Sequence, residues 1–165
     1  MGGRGLESLG SLTGTGNYFE DFAVGDVYEH ERGKTVHASD GVTITNMVMN
    51  TAQAHFNADS MKDGKIGGEL VFGGVTISMV IGLATQDTGE NALAELGLDE
   101  IRLTHPVTHG TTLYAFTEVL AAEDADRADA GVVTFRHWGV NQDGMTVFTG
   151  VRRTLIKRAS HWRDR

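Results

Sequence analysis

The chain has 165 residues, of which 40% are hydrophobic and 22% charged, a composition typical of one globular domain with a real core. Its net charge of −8 argues against nonspecific nucleic-acid binding, and the absence of cysteine excludes thiol catalysis, disulfides and zinc–thiolate sites. The sequence shows no apolar run of membrane-spanning length and no signal peptide, so we expect a cytoplasmic protein without a membrane partner.

The composition changes near both ends of the chain. Residues 1–16 are rich in glycine and are predicted to form a flexible leader. Residues 159–165 are predicted to form a basic C-terminal tail. The folded domain is therefore expected to span residues 17–158, and the sequence shows neither an internal repeat nor a linker to a second domain.

The first half of the domain is predicted to contain a strand, a helix and a loop. Residues 27–36 alternate in the way of a strand. Residues 42–49 indicate a helix, for which Ser39 and Asp40 are the candidate N-caps. Residues 50–72 are mainly polar and contain several glycines, so we expect a loop with short helical turns.

Residues 73–87, GGVTISMVIGLATQD, are the most apolar stretch of the chain. A surface helix would carry a polar stripe, whereas here only Thr76, Ser78 and Gly82 interrupt the apolar positions up to residue 84. We therefore predict a buried helix enclosed by a sheet. A buried strand is the alternative, because β-branched residues are frequent in this stretch.

The last 70 residues have the pattern of an antiparallel meander. Strand-like runs occur at residues 100–107, 111–121, 131–140 and 145–157. Asp143 and Gly144 indicate a hairpin, and Pro106 indicates an edge or a bulge. The whole order predicts an α+β fold in which one antiparallel sheet wraps a single central helix. The open edges of such a sheet predict pairing with another subunit.

A histidine in the polar loop is the candidate catalytic group. His55 has Asn50 five residues before it, and histidine is the usual general base near neutral pH. An amide can orient a water molecule or a carbonyl but cannot take its proton. Asn57 and Asp59 either orient the His55 ring or cap a turn. A purely structural role for a single loop histidine is the alternative.

Several segments, in a consistent order, carry a resemblance to a known family. They are FEDFAVGD at 19–26, MNTAQAHFNAD at 49–59, VFGGVTISMVIGLATQDT at 71–88, GVVTFRHWGVNQDG at 131–144 and VRRTLIKR at 151–158. The chain resembles the MaoC-like dehydratases, the (R)-specific enoyl-CoA hydratase branch of the hot-dog fold. Residues 82–88 and 129–144 are most similar to the mesaconyl-CoA and itaconyl-CoA hydratase-like members.

The resemblance implies a hot-dog domain that adds water reversibly across the 2,3 double bond of a short enoyl-CoA. The best expectation for the acyl group is a branched dicarboxylic one of the mesaconyl kind. His55 matches the family histidine, and Asn50 stands where the family usually has aspartate. Gly73 is expected to offer its backbone N–H to the thioester oxygen. The donor of the proton to the α-carbon stays open between His55 and water.

Four further residues are expected to bind substrate. Gly74 and Val75 lie at the start of the central helix, where helix geometry leaves backbone N–H groups unpaired. For Gly73 and Gly74, the alternative is a purely structural role, as a loop that lets the helix pack closely. Arg152 and Arg153 are candidates for the phosphates of coenzyme A. Because neighbouring strand residues face opposite sides, at most one of the two arginines would line a given groove.

No metal site is expected. His105 and His109 are four residues apart, but Pro106 between them argues against a shared helical face. The resemblance implies no cofactor other than the coenzyme A that the substrate carries. It also implies a homodimer or a dimer-based oligomer that takes an acyl-CoA thioester and no nucleic acid.

Two other functions stay open at this point. One is a non-catalytic hot-dog subunit that binds acyl-CoA, which Asn50 favours and His55 disfavours. The other is a hot-dog thioesterase. Thioesterases of this kind place a carboxylate on or near the central helix, and residues 73–86 contain no acidic residue.

Overall fold

The computed structural model describes residues 16–163. Its helices are α1 (Ala38–Met47), α2 (Ala58–Met61), α3 (Gly73–Thr88) and α4 (Ala159–Trp162). Its strands are β1 (Val27–Glu29), β2 (Lys34–Thr35), β3 (Ala92–Leu103), β4 (Thr112–Asp124), β5 (Ala130–Asn141) and β6 (Thr146–Lys157). The predicted leader lies outside the described residues except for Gly16, and α4 lies within the predicted basic tail.

The strands form one antiparallel sheet in the order β1, β4, β5, β6, β3, with β2 also paired to β4. Helix α3 packs across β4, β5 and β6, and the predicted α+β fold with one helix against a curved sheet is confirmed. The predicted hairpin between β5 and β6 is confirmed as well. Gly144 supplies the left-handed backbone conformation of its turn, with φ of +76°.

Two boundaries in the first half differ from the prediction. The strand expected at residues 27–36 is divided into β1 and β2, because an exposed polar turn interrupts the pairing with β4. The helix expected at 42–49 begins at Ala38, and His37 is its N-cap residue. Asp40 lies inside the first turn, where its carboxylate accepts the His37 N–H at 3.1 Å. A carboxylate there satisfies a free donor and favours the helix N-terminus.

The strand expected at residues 100–107 overlaps the observed strand only at residues 100–103. Strand β3 begins eight residues earlier and ends at Leu103, so Pro106 follows the strand. Three register shifts interrupt its pairing with β6. These irregularities break the period-two pattern on which the prediction depended. Strand β3 is an open edge of the sheet and exposes Leu96, Ile101 and Leu103.

The interior between α3 and the sheet contains two apolar clusters. One lies near the start of α3 and consists of Val36, Val71, Val75, Val80, Val107, Leu113, Ala115, Val147 and Phe148. The other lies under the far end of the sheet and consists of Phe22, Tyr28, Val119, Val133, Phe135 and Ile156. Along β4, Thr117 lies between members of the two clusters, and His137 is paired with it on β5.

A polar belt, formed by His30, Asp87, Thr117, His137 and Arg152, therefore divides the core. Asp87 Oδ2 lies 2.6 Å from His30 Nδ1, and Thr117 Oγ1 lies 2.7 Å from His30 Nε2 and 2.8 Å from His137 Nδ1. Three buried atoms of the belt have no hydrogen-bond partner among the described residues: Asp87 Oδ1, His137 Nε2 and Arg152 Nη1. Buried groups of this kind are usually satisfied by internal water.

His137 is the most perturbed titratable group of the belt. Burial, with smaller contributions from the charges of Arg152 and His30, lowers the pKa of His137 to about 3. This imidazole is therefore neutral at physiological pH, and it accepts or donates hydrogen bonds without carrying charge.

Candidate active site

The end of α1 fixes the backbone of Asn50. Met49 adopts a left-handed conformation with φ of 59°, and the N–H of Asn50 then bonds back to the Thr45 carbonyl at 3.1 Å. A second bond joins the N–H of Met49 to the Asn46 carbonyl at 3.0 Å. This pair of bonds is a Schellman closure of the helix, so the position of Asn50 is set by the way α1 ends.

The side chain of Asn50 starts the turn that leads to His55. Its Oδ1 accepts the backbone N–H of Ala52 at 3.0 Å. A short 3-10 turn, Gln53–His55, follows directly, and the His55 N–H bonds to the Ala52 carbonyl at 3.0 Å. One continuous chain of local hydrogen bonds therefore connects the end of α1 to the imidazole.

The His55 ring is held in a defined tautomer. Its Nδ1 lies 2.7 Å from the Leu70 carbonyl oxygen, and a carbonyl only accepts, so Nδ1 carries the proton. The half-buried ring also packs against the edge of Phe72, with ring centroids 5.6 Å apart. In the neutral imidazole, Nε2 consequently has a free lone pair. Nε2 is the atom able to take a proton from a bound molecule.

The Leu70 carbonyl is itself anchored on both sides. The N–H of Leu70 bonds to the Ala54 carbonyl at 2.9 Å, and Leu70 pairs with Thr108 in an isolated bridge. The next residue, Val71, donates its N–H to Val107 at 2.8 Å. This segment runs directly into α3, so the imidazole and the N-terminus of the helix belong to one rigid unit. Leu70 and Phe72 were not expected from the sequence as parts of the site.

Helix α3 begins with two free backbone donors. The N–H groups of Val75 and Thr76 bond back to the Phe72 carbonyl, at 2.9 and 3.4 Å. Within the described chain, this leaves the N–H groups of Gly73 and Gly74 without a partner, as expected at a helix start. The helix dipole adds partial positive charge there. A developing negative charge would be stabilised at this point.

Close packing also explains why residues 73 and 74 are glycines. A Cβ atom at Gly73 would overlap the Leu103 side chain, and one at Gly74 would overlap the Phe72 ring. Val75, expected to bind substrate, is fully buried in the apolar core, and its N–H is already used. Both expectations for the glycines, close packing and an accessible backbone, are therefore compatible with their position.

The two arginines lie away from His55 within one chain. Arg152 is only 6% exposed, and its Nε donates to Glu95 Oε2 at 2.8 Å, with a second hydrogen bond from Nη2 to Glu95 Oε1. It lies beside Gly89, which follows the last residue of α3. The 16 residues of α3 separate this end from Gly73 by roughly 24 Å. Arg153 is exposed on the other side of the sheet, as the strand pattern predicts.

The remaining loop and histidine candidates have structural partners. Asn57 caps α2 by accepting the Ser60 N–H at 3.0 Å, and Asp59 pairs with Lys62 at 2.6 Å. His105 Nδ1 donates to the Thr146 carbonyl. Among residues 16–163, no group of three or more His, Asp or Glu side chains could hold a metal ion. A bilayer-spanning helix is likewise not found among the helices of this segment.

His109 and His105 have different partners, because His109 lies near Glu69 and His105 contacts the Thr146 carbonyl. The Nδ1 of His109 is 3.6 Å from a carboxylate oxygen of Glu69, and the His109 ring fills the space that Gly41 leaves open. Glu69 precedes Leu70, which anchors His55.

The sheet wrapped on α3, with a histidine held at the helix N-terminus, defines a hot-dog protein of the MaoC-like type. A family model for mesaconyl-CoA hydratase matches residues 10–158. The chain belongs to the mesaconyl-CoA hydratase family. It is 36% identical over 154 residues to the mesaconyl-CoA hydratase of Haloarcula marismortui, a match that covers 87% of this chain and 42% of that relative.

Solved structures share the fold. A MaoC domain protein from Chloroflexus aurantiacus matches with a TM-score of 0.82 and 27% identity, over 88% of this chain and 46% of that chain. A protein of Mycobacterium tuberculosis with a double hot-dog fold matches with a TM-score of 0.80 and 24% identity, over 89% of this chain and 46% of that chain. The present chain spans less than half the length of each of these proteins.

Proposed function

We propose that this chain is an acyl-CoA hydratase that adds water reversibly across the double bond of a short 2-enoyl thioester of the mesaconyl type. The observation that carries the proposal is the fixed tautomer of His55. Its Nδ1–H is bound to the Leu70 carbonyl, so Nε2 faces away with a free lone pair. Leu70 connects the imidazole to the start of α3, where the N–H groups of Gly73 and Gly74 are free. A base and an oxyanion site on one unit fit this reaction class.

In the first step, a water molecule near Asn50 loses a proton to Nε2 of His55. The O–H bond breaks, the oxygen bonds to the β-carbon of the thioester, and the electrons of the double bond move toward the carbonyl. The imidazolium that results is held by the Leu70 carbonyl, which accepts the Nδ1–H throughout. His55 is the catalytic base in this scheme.

The charge that develops on the thioester oxygen is that of an enolate. The backbone N–H groups of Gly73 and Gly74 donate to this oxygen, and the positive end of the α3 dipole assists. The enolate then takes a proton at the α-carbon and the carbonyl forms again. His55 Nε2–H or a water molecule supplies this proton, which balances the addition of one water.

A second hot-dog domain is the partner that we propose, in the form of another copy of this chain. The edge of β3 is open and exposes apolar side chains, whereas the matched double hot-dog protein contains two such folds in one chain. His55 and both glycines are only half-buried in the single chain. A facing domain would enclose the thioester. A cytoplasmic location stays a prediction.

The proposal is tested by mixing the purified protein with crotonyl-CoA, mesaconyl-CoA and itaconyl-CoA. Loss of enoyl-thioester absorbance and a product mass increased by one water are the expected results, and sedimentation of the same sample gives the mass of the assembly. Replacement His55→Ala is expected to lower kcat by about 10²–10⁴-fold with little change in Tm. The exposed His161→Ala is the matched control and should retain full activity.

Other results would replace the proposal. Release of free coenzyme A without water addition would indicate a thioesterase. That outcome is disfavoured by the position of Asp87, which is buried against His30 at the far end of α3. Binding without turnover would indicate the non-catalytic subunit. Unchanged turnover by His55→Ala would remove His55 from the mechanism.

A further inference from the structure

The orientation of the Asn50 amide is determined by its neighbour. A backbone N–H requires an acceptor, so the atom 3.0 Å from the Ala52 nitrogen is the amide oxygen. The Nδ2 amino group therefore points away from the turn, and it makes no hydrogen bond to any described residue. Asn50 is half-buried. It presents a neutral hydrogen-bond donor beside the loop that carries His55.

An aspartate would hold the same turn with one oxygen but would present the opposite chemistry. Its second oxygen would be an acceptor with negative charge where Asn50 has a donor. The choice of amide at this position therefore changes the charge of the site without changing the local fold. Between residues 50 and 61 the only acidic side chain is Asp59, which is paired with Lys62.

The chemistry of a dicarboxylic substrate makes this difference important. In 2-methylfumaryl-CoA, the β-carbon that receives the hydroxyl is bonded directly to the free carboxylate. Any side chain that holds the attacking water over this carbon lies within a few ångströms of that carboxylate. A second carboxylate there would repel it, whereas an amide N–H donates to it.

We propose that Asn50 makes the site selective for acyl-CoA thioesters that carry a free carboxylate on the β-carbon. Its Nδ2 donates to that carboxylate, beside which the water attacks. The inference rests on the proposed hydratase function and specifies the substrate class of the same site. A neutral enoyl-CoA such as crotonyl-CoA lacks the group that this donor recognises.

The first test compares the wild-type protein with Asn50→Asp on mesaconyl-CoA and crotonyl-CoA. We expect kcat/KM for mesaconyl-CoA to fall at least tenfold more than that for crotonyl-CoA, because only the former brings a second negative charge. The isosteric aspartate keeps the acceptor for Ala52, so Tm should be nearly unchanged. An equal change for both substrates would overturn the proposal.

The second test measures binding without turnover. Succinyl-CoA and butyryl-CoA have the same four-carbon acyl length, and only the first ends in a carboxylate. Asn50→Asp should weaken the binding of succinyl-CoA at least tenfold and the binding of butyryl-CoA less than threefold. Asn57→Asp is the matched control, since it adds a charge to the same loop and keeps the α2 cap, while the Gln53 amide, which accepts from Asn57, can rotate and donate to the new carboxylate; it should preserve the preference. The same loss of preference in both variants would assign the effect to net charge and overturn the role of Asn50.

The two tests separate this inference from the proposed function. If the wild-type chain hydrates neither thioester, the hydratase function fails and the binding comparison alone decides the selectivity. If it hydrates mesaconyl-CoA but Asn50→Asp keeps the same preference, only the selectivity fails. A wild-type chain that hydrates neither thioester and binds neither succinyl-CoA nor butyryl-CoA overturns both.

Discussion

Met49 has an unusual backbone for a residue with a long side chain. Its φ of 59° lies in the left-handed region, which glycine adopts readily and methionine does not. The strain closes α1 and directs Asn50 into the turn that leads to His55. The Met49 side chain is 85% exposed, so the residue contributes little to the core in return. Strain of this kind next to a candidate site suggests that geometry here matters more than stability.

Replacing Met49 with glycine should therefore stabilise the chain. Met49→Gly relieves the left-handed penalty and is expected to raise the free energy of unfolding by about 0.5–1 kcal/mol, measured by urea denaturation. Met47→Gly is the matched control, because Met47 is 77% exposed in the last turn of α1. There the substitution should cost roughly 1 kcal/mol. Equal destabilisation by both variants would contradict the strain at Met49.

The chemistry of the residues was more predictable than their contacts. His55 and Asn50 could be selected from the sequence, because their types and spacing are local. The Leu70 carbonyl that fixes the His55 tautomer lies 15 residues away, and its side chain is irrelevant to the role. No residue pattern encodes a backbone acceptor of this kind. The expected alternative for Asn57, a turn cap, could be predicted because capping is a local interaction.

At the scale of single elements, the start of α3 combines packing with chemistry. Gly73 faces Leu103 of the edge strand β3 so closely that a Cβ would overlap the leucine. The same glycine leaves its N–H free beside Phe72, next to the His55 ring. A substitution at Gly73 alone cannot separate these two roles. Leu103 is half-exposed, so its own truncation costs little.

A pair of substitutions separates the packing role of Gly73 from the role of its backbone N–H. Gly73→Ala is expected to change the free energy of unfolding by less than about 1 kcal/mol, because the clash is with the end of the half-exposed Leu103 side chain, which can move aside, and adding Leu103→Ala should remove the clash altogether. If the thioester approaches the Gly73 N–H, the double variant should still hydrate at least tenfold more slowly than Leu103→Ala alone. Full recovery of kcat in the double variant would leave packing as the sole reason for the glycine.

Elements with uniform patterns were predicted better than irregular ones. The apolar run of α3 and the alternation in β5 and β6 identified these elements, because each buries a regular set of side chains. Strand β3 was placed eight residues too late. It is an edge strand with three register shifts, so its exposed and buried positions follow no fixed period.

Across the whole molecule, the polar belt separates two apolar clusters that the sheet would otherwise join. Its members come from α3, β4, β5, β6 and the segment after β1, and they lie far apart in the sequence. No local pattern of residues therefore connects them. His137 is neutral in the folded chain, and its charged form has no acidic partner at hydrogen-bond distance among the described residues.

The stability of the whole chain should depend on pH through His137. The pKa of His137 is about 3 when folded, against 6.5 for an ordinary histidine, so the unfolded chain binds this proton first as the pH falls. The contribution of neutral His137 to the free energy of unfolding is fully present above pH 6.5. It is lost as the pH falls toward 3, by up to about 1.4 kcal/mol per pH unit. Denaturation between pH 7 and 4 measures this slope.

Removing the titrating group tests that assignment. His137→Asn keeps a polar atom near Thr117 but cannot bind the proton, so its stability should fall less steeply with decreasing pH than that of the wild type. The variant will be less stable at every pH because of the smaller side chain, and only the slope is diagnostic. The exposed His161→Asn should keep the wild-type slope. A wild-type slope in His137→Asn would assign the acid sensitivity to another group.

The two ends of the described chain meet at one corner of the molecule. The Ala159 N–H donates to Glu20 at 2.9 Å, and the Arg158 guanidinium lies 4.3 Å from the centre of the Phe19 ring. Asn17 also donates to the carbonyl of Asp87, near the end of α3. A fluorophore attached at residue 17 or at residue 163 would therefore report on the same corner. Either label would be separated from His55 by nearly the full length of α3 and would leave the candidate site unobstructed.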